Sequence, residues 1–527
     1  MLIALPILIS TLFISISCKE VKKNTVQNVV ADTTITEQTS YNNLFLDSAE
    51  LSRFLGNNPS FAQYRDQYQD FYKQRNYEFA WFDSLGLSEQ AGGLINLLNS
   101  GIARFNDSSL YNQDAYNLYN KYKNPEQKKA LTDEIINAEL LFTGEFFKYV
   151  SKVYNGGDID AKSLGWFIPR KKINYTALLD STLAGKPEDP ESDKFFNPQY
   201  KALKEFLNRY INVQKSEWEV ITIPVAKYKL HDKSKTIEQI KKRLYLLGDL
   251  PENDTTPVFN TEMLHAVKSF EGRMGLPADG IIAKGMIAKL NIPIDTLIQT
   301  LLINIERARW MPEKIEEPHI IVNIPEYKLH VYDTAGNFDM NVIVGSAVNN
   351  TVIFSGNLRY VVFAPYWNVP SSIVRKEMMG KDKSYFDSHN MEILGRKKDG
   401  EPIVRRKPGP DNDLGLVKFL FPNDYNIYLH DTPRRDLFKN SNRSLSHGCI
   451  RISDPPKMAA YLLRDQPKFT TKMIDSLMHY PKETWVSVTK PVPVYLVYFT
   501  AWVDDHGKLN FRKDIYGHDG KMAAKLF

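Results

Sequence analysis

Residues 444–452 read SLSHGCIRI, and the segment 428–433, shortly before them, reads YLHDTP. The aliphatic residues after Cys449 are typical of a short strand. The glycine directly before this cysteine allows backbone N–H groups to approach a reacting carbonyl group, where they can stabilise an oxyanion. This pattern predicts a nucleophile presented at the start of a strand.

A cysteine attacks as its thiolate, so it needs a neighbouring group that accepts the thiol proton. Two histidines are candidates: the upstream His430, and His447, which would share a strand face with Cys449 because it lies two residues away. Arg451, two residues on the other side, offers a positive fork to a carboxylate. Among proteins in general a buried structural cysteine is the commoner case, so the residues alone leave both interpretations open.

The pattern of a histidine followed by SHGCIR (446–451) resembles the catalytic domain of the L,D-transpeptidases of the YkuD type. Three other runs are similar to the large multi-domain branch of that family: APYWNVPSSI at 364–373, LGLVKF at 414–419 and PVPVY at 491–495. The resemblance is strong from about residue 300 to 520 and weak before 230.

The resemblance implies roles for four residues. Cys449 is the expected nucleophile, and His430 is the expected general base and acid. The backbone carbonyl of Asp431 is expected to orient the imidazole, so the Asp431 side chain should tolerate change. Arg451 is expected to bind substrate.

Five more residues are candidates with a supporting role. His447, Gly448 and Ser446 are expected to shape the loop that presents the oxyanion-binding amides, although Ser446 is equally well interpreted as an ordinary loop serine. Tyr428 and Trp367 are candidates for substrate binding. Core packing is an equal alternative for Tyr428, and a structural aromatic is the commoner interpretation for Trp367.

The implied activity is a peptidoglycan L,D-transpeptidase that forms 3–3 crosslinks through a Cys449 thioester with release of D-Ala. Its partners would be the donor tetrapeptide and the acceptor stem peptide of peptidoglycan. An L,D-carboxypeptidase, an enzyme that anchors a protein to peptidoglycan, and a non-enzymatic cell-wall-binding scaffold are the alternatives. We expect no cofactor and no metal.

The fold class expected is α+β multidomain, with a mainly β YkuD-like catalytic domain that carries an inserted capping subdomain. The polar run 18–42 is expected to be a tether. The regions that follow it are predicted to be a helical scaffold (43–230), a small three-helix peptidoglycan-binding domain (234–292), the catalytic domain (300–485) with a lid at about 371–413, and C-terminal strands (486–527). Helical spacing of apolar residues supports the first two, within Leu131–Val153 and from Ile237 to Leu244.

The first 17 residues are apolar and fit the hydrophobic region of an export signal. Cys18 follows a small residue, which resembles a lipoprotein signal, and an ordinary secretory signal is the alternative. We therefore expect a protein on the periplasmic side of the cell envelope, lipid-anchored to a membrane through Cys18.

Nucleic acid is not an expected partner, because a net charge of +5 over 527 residues is diffuse. The two cysteines form no CxxC pair, which argues against a thiolate zinc site.

Overall fold

The computed structural model describes residues 44–105, 108–124, 132–156, 159–169, 173–187, 195–216 and 218–527. The export signal 1–17, Cys18 and the tether 18–42 lie outside these residues. The chain divides into two compact units. The N-terminal unit comprises Met1–Tyr149 with Tyr175–Pro187, and the C-terminal unit comprises Val150–Asn174 with Glu188–Phe527.

The N-terminal unit is helical around an aromatic core. Its helices are α1 Ser48–Asn57, α2 Arg65–Gln74, α3 Glu89–Phe105, α4 Gln113–Tyr122, α5 Asp133–Val150 and α6 Tyr175–Leu183, with a small hairpin of β1 Phe82–Asp83 and β2 Gly86–Leu87. The helix predicted within 131–153 is confirmed, and it buries Phe142 and Phe147. The buried Glu139 accepts the amides of Ala80 and Trp81, so the helix also fixes the chain that enters the hairpin.

Five described α-helices precede the large sheet in the C-terminal unit. They are α7 Pro198–Gln214, α8 Lys235–Leu247, α9 Thr261–Arg273, α10 Lys284–Leu290 and α11 Ile294–Arg309, and the short strands β3 Lys227–Tyr228 and β4 Ile282–Ala283 pair beside α10. Ser234 caps α8 through its hydroxyl, and Gly248 ends it in a left-handed conformation. The predicted helix through Ile237 and Leu244 is confirmed.

Nine described strands form one large sheet in the order β14-β7-β15-β13-β12-β8-β16-β5-β6, and a further pairing of β7 with β6 closes it. Their bounds are β5 His319–Asn323, β6 Lys328–Tyr332, β7 Phe338–Gly345, β8 Ser355–Phe363, β12 Val417–Leu420, β13 Leu429–His430, β14 Ser444–Ser446, β15 Ile450–Ile452 and β16 Thr484–Val497. The strands β13 and β15 are parallel neighbours, although a long connection separates them in sequence. This pairing brings the two quoted segments together.

An insert with its own core separates β8 from β12. It contains β9 Trp367–Asn368, α12 Ser371–Ile373, α13 Lys383–Ser388, β10 Met391–Arg396 and β11 Pro402–Arg406, and its strands pair in the order β10-β11-β9. Its apolar cluster consists of Val369, Ile373, Val374, Met378, Phe386, Met391 and Val404. The small sheet starts at Trp367, four residues before the range expected for the lid.

The remaining elements complete the C-terminal unit: α14 Pro455–Leu462, α15 Thr471–Met478, the hairpin β17 Ala501–Val503 with β18 Leu509–Phe511, and α16 His518–Leu526. The structure therefore adds a helix after the expected C-terminal strands. It also places α7 in the C-terminal unit, where it packs on α11, so the region 43–230 is shared between both units.

The expected mixture of helical regions and a mainly β domain is confirmed. Within the residues described, no single helix has the length and apolarity to span a membrane. A bent pair, Lys284–Leu290 and Ile294–Arg309 at 73°, meets that test by length and composition only.

Candidate active site

Cys449 ends a three-residue bend that joins β14 to β15. At the centre of this bend Gly448 has a φ of +116°, a conformation that L side chains rarely adopt. The Gly448 carbonyl accepts a hydrogen bond of 2.7 Å from Thr351 Oγ1. The bend therefore requires glycine at position 448 and is fixed from outside by a buried threonine.

Ser446 braces the same bend from within. Its buried hydroxyl donates to the Cys449 carbonyl at 2.5 Å and accepts from the Gly448 amide at 3.1 Å. Among the described hydrogen bonds, the backbone N–H groups of His447 and Cys449 have no acceptor. These two amides are available to an oxyanion, whereas the Gly448 amide is already engaged.

Three ionisable residues form a row across adjacent strands. Lys418 on β12 lies opposite His430 on β13, and His430 lies opposite Arg451 on β15. Tyr428 and Cys449 precede His430 and Arg451 by two residues, so their side chains share the same face. Cys449 is therefore the diagonal neighbour of His430 across the parallel pair of β13 and β15.

His430 is buried and oriented by a backbone carbonyl. Its Nδ1 lies 2.6 Å from the Asp431 carbonyl oxygen, as expected. A carbonyl only accepts, so Nδ1 carries the hydrogen in this hydrogen bond and the lone pair of the neutral ring is on Nε2. Burial, assisted by the charges of Arg451 and Lys418, lowers the pKa of His430 to about 3, against the raising effect of the Asp431 and Leu414 carbonyls.

The thiol of Cys449 is protonated in the resting site. Burial raises its pKa, although hydrogen bonding to Tyr428 and the charge of Arg451 act in the opposite direction. The sulfur lies 3.5 Å from the Asn426 carbonyl oxygen, to which it donates. Within the described residues no hydrogen bond joins it to His430, so the pair is a neutral thiol and a neutral imidazole before substrate binds.

The Asp431 side chain has a structural role that the sequence did not indicate. The carboxylate is buried and accepts the amides of Thr432 at 2.7 Å and Leu416 at 2.9 Å, and it pairs with Arg435 at 2.5 Å. Gly415 packs so closely that a Cβ there would lie 2.4 Å from this carboxylate. The expectation that this side chain tolerates change is contradicted by these contacts.

Arg451 carries a buried nitrogen, Nε, whose hydrogen bonding is unsatisfied among the described residues. Burial lowers the pKa of the guanidinium, while the charges of Asp413 and Cys449 raise it. An unsatisfied buried donor beside the nucleophile is suited to binding a carboxylate.

The other candidates occupy distinct surroundings. Tyr428 packs edge-on against His430 at 5.8 Å between ring centroids, and its hydroxyl interacts with Cys449, so it lines the site. His447 is exposed in the bend. Trp367 instead packs on the core of the insert and stacks with Arg406, which favours the structural interpretation.

Sequence reasoning missed Lys418, Thr351 and Asn412. Asn412 is buried and donates to the Pro365 and Lys407 carbonyls, which holds the chain that enters β12. Lys418 lies within LGLVKF, a run that resembles the family, and this resemblance could have identified it as a site residue. Thr351 carried no signal, because its contact with Gly448 joins residues 97 positions apart.

Metal chemistry has no evident site in the described residues, where no group of three or more His, Cys, Asp or Glu is placed to hold an ion.

Three family models match the chain. Residues 317–492 match the "L,D-transpeptidase catalytic domain" (YkuD), residues 66–207 a "Scaffold domain", and residues 233–290 a "Putative peptidoglycan binding domain". The resemblance stated from the sequence is thereby confirmed for these regions.

One curated relative is a Haemophilus influenzae protein named "Putative L,D-transpeptidase", 32% identical over 296 residues. The alignment covers 52% of this chain and 59% of that protein, so the activity of the whole relative does not transfer by itself.

Similar solved structures include an L,D-transpeptidase (Yku) from Stackebrandtia nassauensis, at 13% identity and a TM-score of 0.22, covering 52% of this chain and 97% of that one. Residues 123–326 of an L,D-transpeptidase from Xylanimonas cellulosilytica match at 11% identity and a TM-score of 0.16, covering 52% of this chain and 100% of that one. Overlaps at these scores carry no weight for fold or function.

Proposed function

We propose that this chain, whose residues 317–492 form an L,D-transpeptidase catalytic domain, crosslinks peptidoglycan through a thioester at Cys449. One observation carries the proposal: the thiol of Cys449 and the neutral imidazole of His430 share a strand face. The two unused amides of the 447–449 bend lie beside them. A nucleophile, a base and oxyanion donors are the parts that acyl transfer requires.

In the first step, the Cys449 sulfur attacks the carbonyl carbon at the L-centre of the third residue of a donor tetrapeptide. Nε2 of His430 takes the thiol proton, and the tetrahedral oxyanion accepts hydrogen bonds from the amides of His447 and Cys449. The bond to the terminal D-Ala then breaks, its nitrogen receives the proton from His430, and a thioester remains.

In the second step, the side-chain amine of a second stem attacks the thioester carbonyl. His430 accepts the amine proton and returns it to the departing Cys449 sulfur, which leaves a 3–3 crosslink and the free enzyme. The insert at about 371–413 would act as a lid that limits water, because water would hydrolyse the thioester.

Arg451 would bind the terminal carboxylate of the donor. Its unsatisfied Nε and its position beside Cys449 support this role. A carboxylate held there would place the preceding peptide bond close to the sulfur.

Incubation of the purified protein with a disaccharide-tetrapeptide tests the proposal, with free D-Ala and crosslinked dimer measured by mass spectrometry. We expect both products from the unmodified protein and neither from the Cys449→Ala or His430→Ala variant. His479→Ala is the matched control, because that histidine is exposed. Release of D-Ala by the Cys449→Ala variant would refute the assigned nucleophile.

The products also separate the alternatives. Free D-Ala with tripeptide and no dimer would identify an L,D-carboxypeptidase, and a stem joined to a protein lysine would identify an anchoring enzyme. Binding to cell-wall sacculi without formation of any product would indicate a non-enzymatic cell-wall-binding scaffold.

Export and lipid attachment at Cys18 complete the proposal. The apolar run before this cysteine supports it. Metabolic labelling with a radioactive fatty acid should mark the protein and leave the Cys18→Ala variant unlabelled; equal labelling of both would contradict attachment at this residue.

A further inference from the structure

A cavity of about 710 Å³ lies in the C-terminal unit, away from the catalytic residues. One part of its lining is Gly272 at the end of α9, the loop Met274–Pro277 that follows, and Lys289, all within the region that matches the peptidoglycan-binding model. Another part is the segment Lys439–Ser444 of the catalytic domain. We call this cavity the cationic groove; it belongs to two regions of the fold at once.

The lining of the cationic groove is strongly positive. Its cations are Lys289, Lys328, Lys439, Arg443, Arg512 and Lys513, and its one lining carboxylate is Glu326.

Most of this charge lacks a counterion. Glu326 is engaged with His330 at 3.0 Å, and Lys328 pairs with Asp339 outside the cavity. Within the described residues, none of the other five cations has a carboxylate at ion-pair distance. The groove thus presents a positive potential to solvent.

The like charges are held together by the fold. Arg512 donates to the carbonyls of Arg273 and Phe511 at 2.9 and 2.8 Å, and Arg443 donates to those of Val342 and Tyr327 at 3.2 and 3.1 Å. Because these guanidinium groups are fixed by backbone carbonyls, they cannot swing apart to relieve repulsion.

The repulsion is visible in the pKa values. Burial, together with the charges of Arg512 and Lys513, lowers the pKa of Lys289. Burial and the charge of Arg443 likewise lower the pKa of Arg512, although Glu326 acts against them. A bound anion would remove this cost, and the side-chain amides of Asn440 and Asn442 add neutral hydrogen-bonding groups to the lining.

We propose that the cationic groove binds the carboxylate-bearing stem peptide of a second peptidoglycan strand, beside the strand whose stem reaches Cys449. This inference rests on the proposed function for the identity of the polymer, because stem carboxylates are the anionic groups of the proposed substrate. Ser444, at one end of the groove, is five residues from Cys449, a span of at most about 17 Å. Because this value is an upper limit on the separation, an extended tetrapeptide of about 14 Å can cover most or all of it.

The test is equilibrium binding of a soluble disaccharide-tetrapeptide to the full chain carrying Cys449→Ala, which prevents turnover. The test variant adds Lys289→Gln and Lys513→Gln, and the matched control adds Lys284→Gln and Lys525→Gln. The control lysines are exposed and do not line the groove. We expect about tenfold weaker binding for the test variant and a change below about twofold for the control.

A second ligand keeps the test independent of folding. Because Arg451 is also proposed to bind a stem carboxylate, the two variants are compared with each other. The control variant should prefer the acid form of the tetrapeptide over the same peptide with its carboxylates converted to amides, and this preference should be about tenfold smaller in the test variant. Equal affinity for the acid and the amide, or for the test and control variants, overturns the proposal. Complete displacement by inorganic polyphosphate with no preference for the acid form overturns it in favour of a phosphate-bearing ligand.

The two proposals fail separately. If the Cys449 protein releases D-Ala while binding is insensitive to the groove lysines, the groove assignment falls and the transpeptidase stands. If charge-dependent binding persists but no D-Ala appears, the groove stands and the catalytic proposal falls.

Discussion

Replacing Asp431 by alanine should both destabilise the catalytic domain and slow its reaction. The carboxylate is 2% exposed and accepts two backbone amides, one from Thr432 and one from Leu416. Both amides would lose their acceptor in the variant, and the closely packed Gly415 would face a void. The chain around Leu414, whose carbonyl interacts with His430, would then be free to shift.

The size of the loss follows from these contacts. A hydrogen bond to a charged acceptor contributes about 1.5–3 kcal/mol, and two are lost. The pair with Arg435 adds less than about 1 kcal/mol, because that arginine is half exposed. The free energy of unfolding should therefore fall by about 4 kcal/mol, which corresponds to a decrease in Tm of roughly 8 °C or more for a domain of this size.

Thermal unfolding and D-Ala release at a temperature where the variant remains folded are the two measurements. We expect the rate to fall about tenfold or more, because displacement of the base by a fraction of an ångström is costly. Asp436→Ala is the control, since its carboxylate and its partner Arg434 are both more than 60% exposed. An Asp431→Ala variant that unfolds and turns over like the control would refute this reasoning.

Three further predictions concern the catalytic loop and its pH dependence. Ser446→Ala should slow the acylation step, measured as D-Ala release from a disaccharide-tetrapeptide, about tenfold, because the 447–449 bend loses both of its internal hydrogen bonds; an unchanged rate of release would contradict this. Thr351→Val, which preserves shape, should slow the same acylation by releasing the Gly448 carbonyl, and a fall in Tm without a slower rate would contradict the positioning role. Because the pKa of His430 is about 3, the rate of acylation should not decrease near pH 6.5, where a free imidazole would become protonated. The unfolded chain binds a proton at His430 below about pH 6.5, whereas the folded protein does not. The free energy of unfolding should therefore fall as the pH decreases below about 6.5, which measurement of Tm against pH checks.

The candidate catalytic residues could be chosen from the sequence because they lie within two short segments, 428–433 and 444–452. Alternation by two along a strand was enough to expect Cys449 and Arg451 on one face. The register between the two strands was beyond this reasoning. The register of β13 with β15 sets His430 opposite Arg451, and the register of β12 with β13 sets Lys418 opposite His430.

The error about Asp431 has a related cause. From sequence, the residue after the proposed base was relevant only through its carbonyl, because one donor to its side chain, the Leu416 amide, comes from a loop fifteen residues away. The helix α7 was likewise grouped with the N-terminal helices by proximity in sequence. Its packing on α11 is a long-range contact, and the spacing of apolar residues along one helix does not predict which other helix it packs on.

Two positive charges beside a buried imidazole have a consequence for the timing of the reaction. At rest, Lys418 and Arg451 help to keep His430 neutral, and burial keeps Cys449 protonated, so the sulfur is poorly reactive toward solvent oxidants. Under the proposed reaction, a donor carboxylate pairs with Arg451 and cancels part of its charge. The pKa of His430 then rises and its nitrogen becomes a stronger base, while the amides of the bend lower the energy of the oxyanion. The substrate would thus supply the electrostatic change that makes proton transfer from Cys449 favourable, and thiolate would form mainly when a stem peptide is present to react with it.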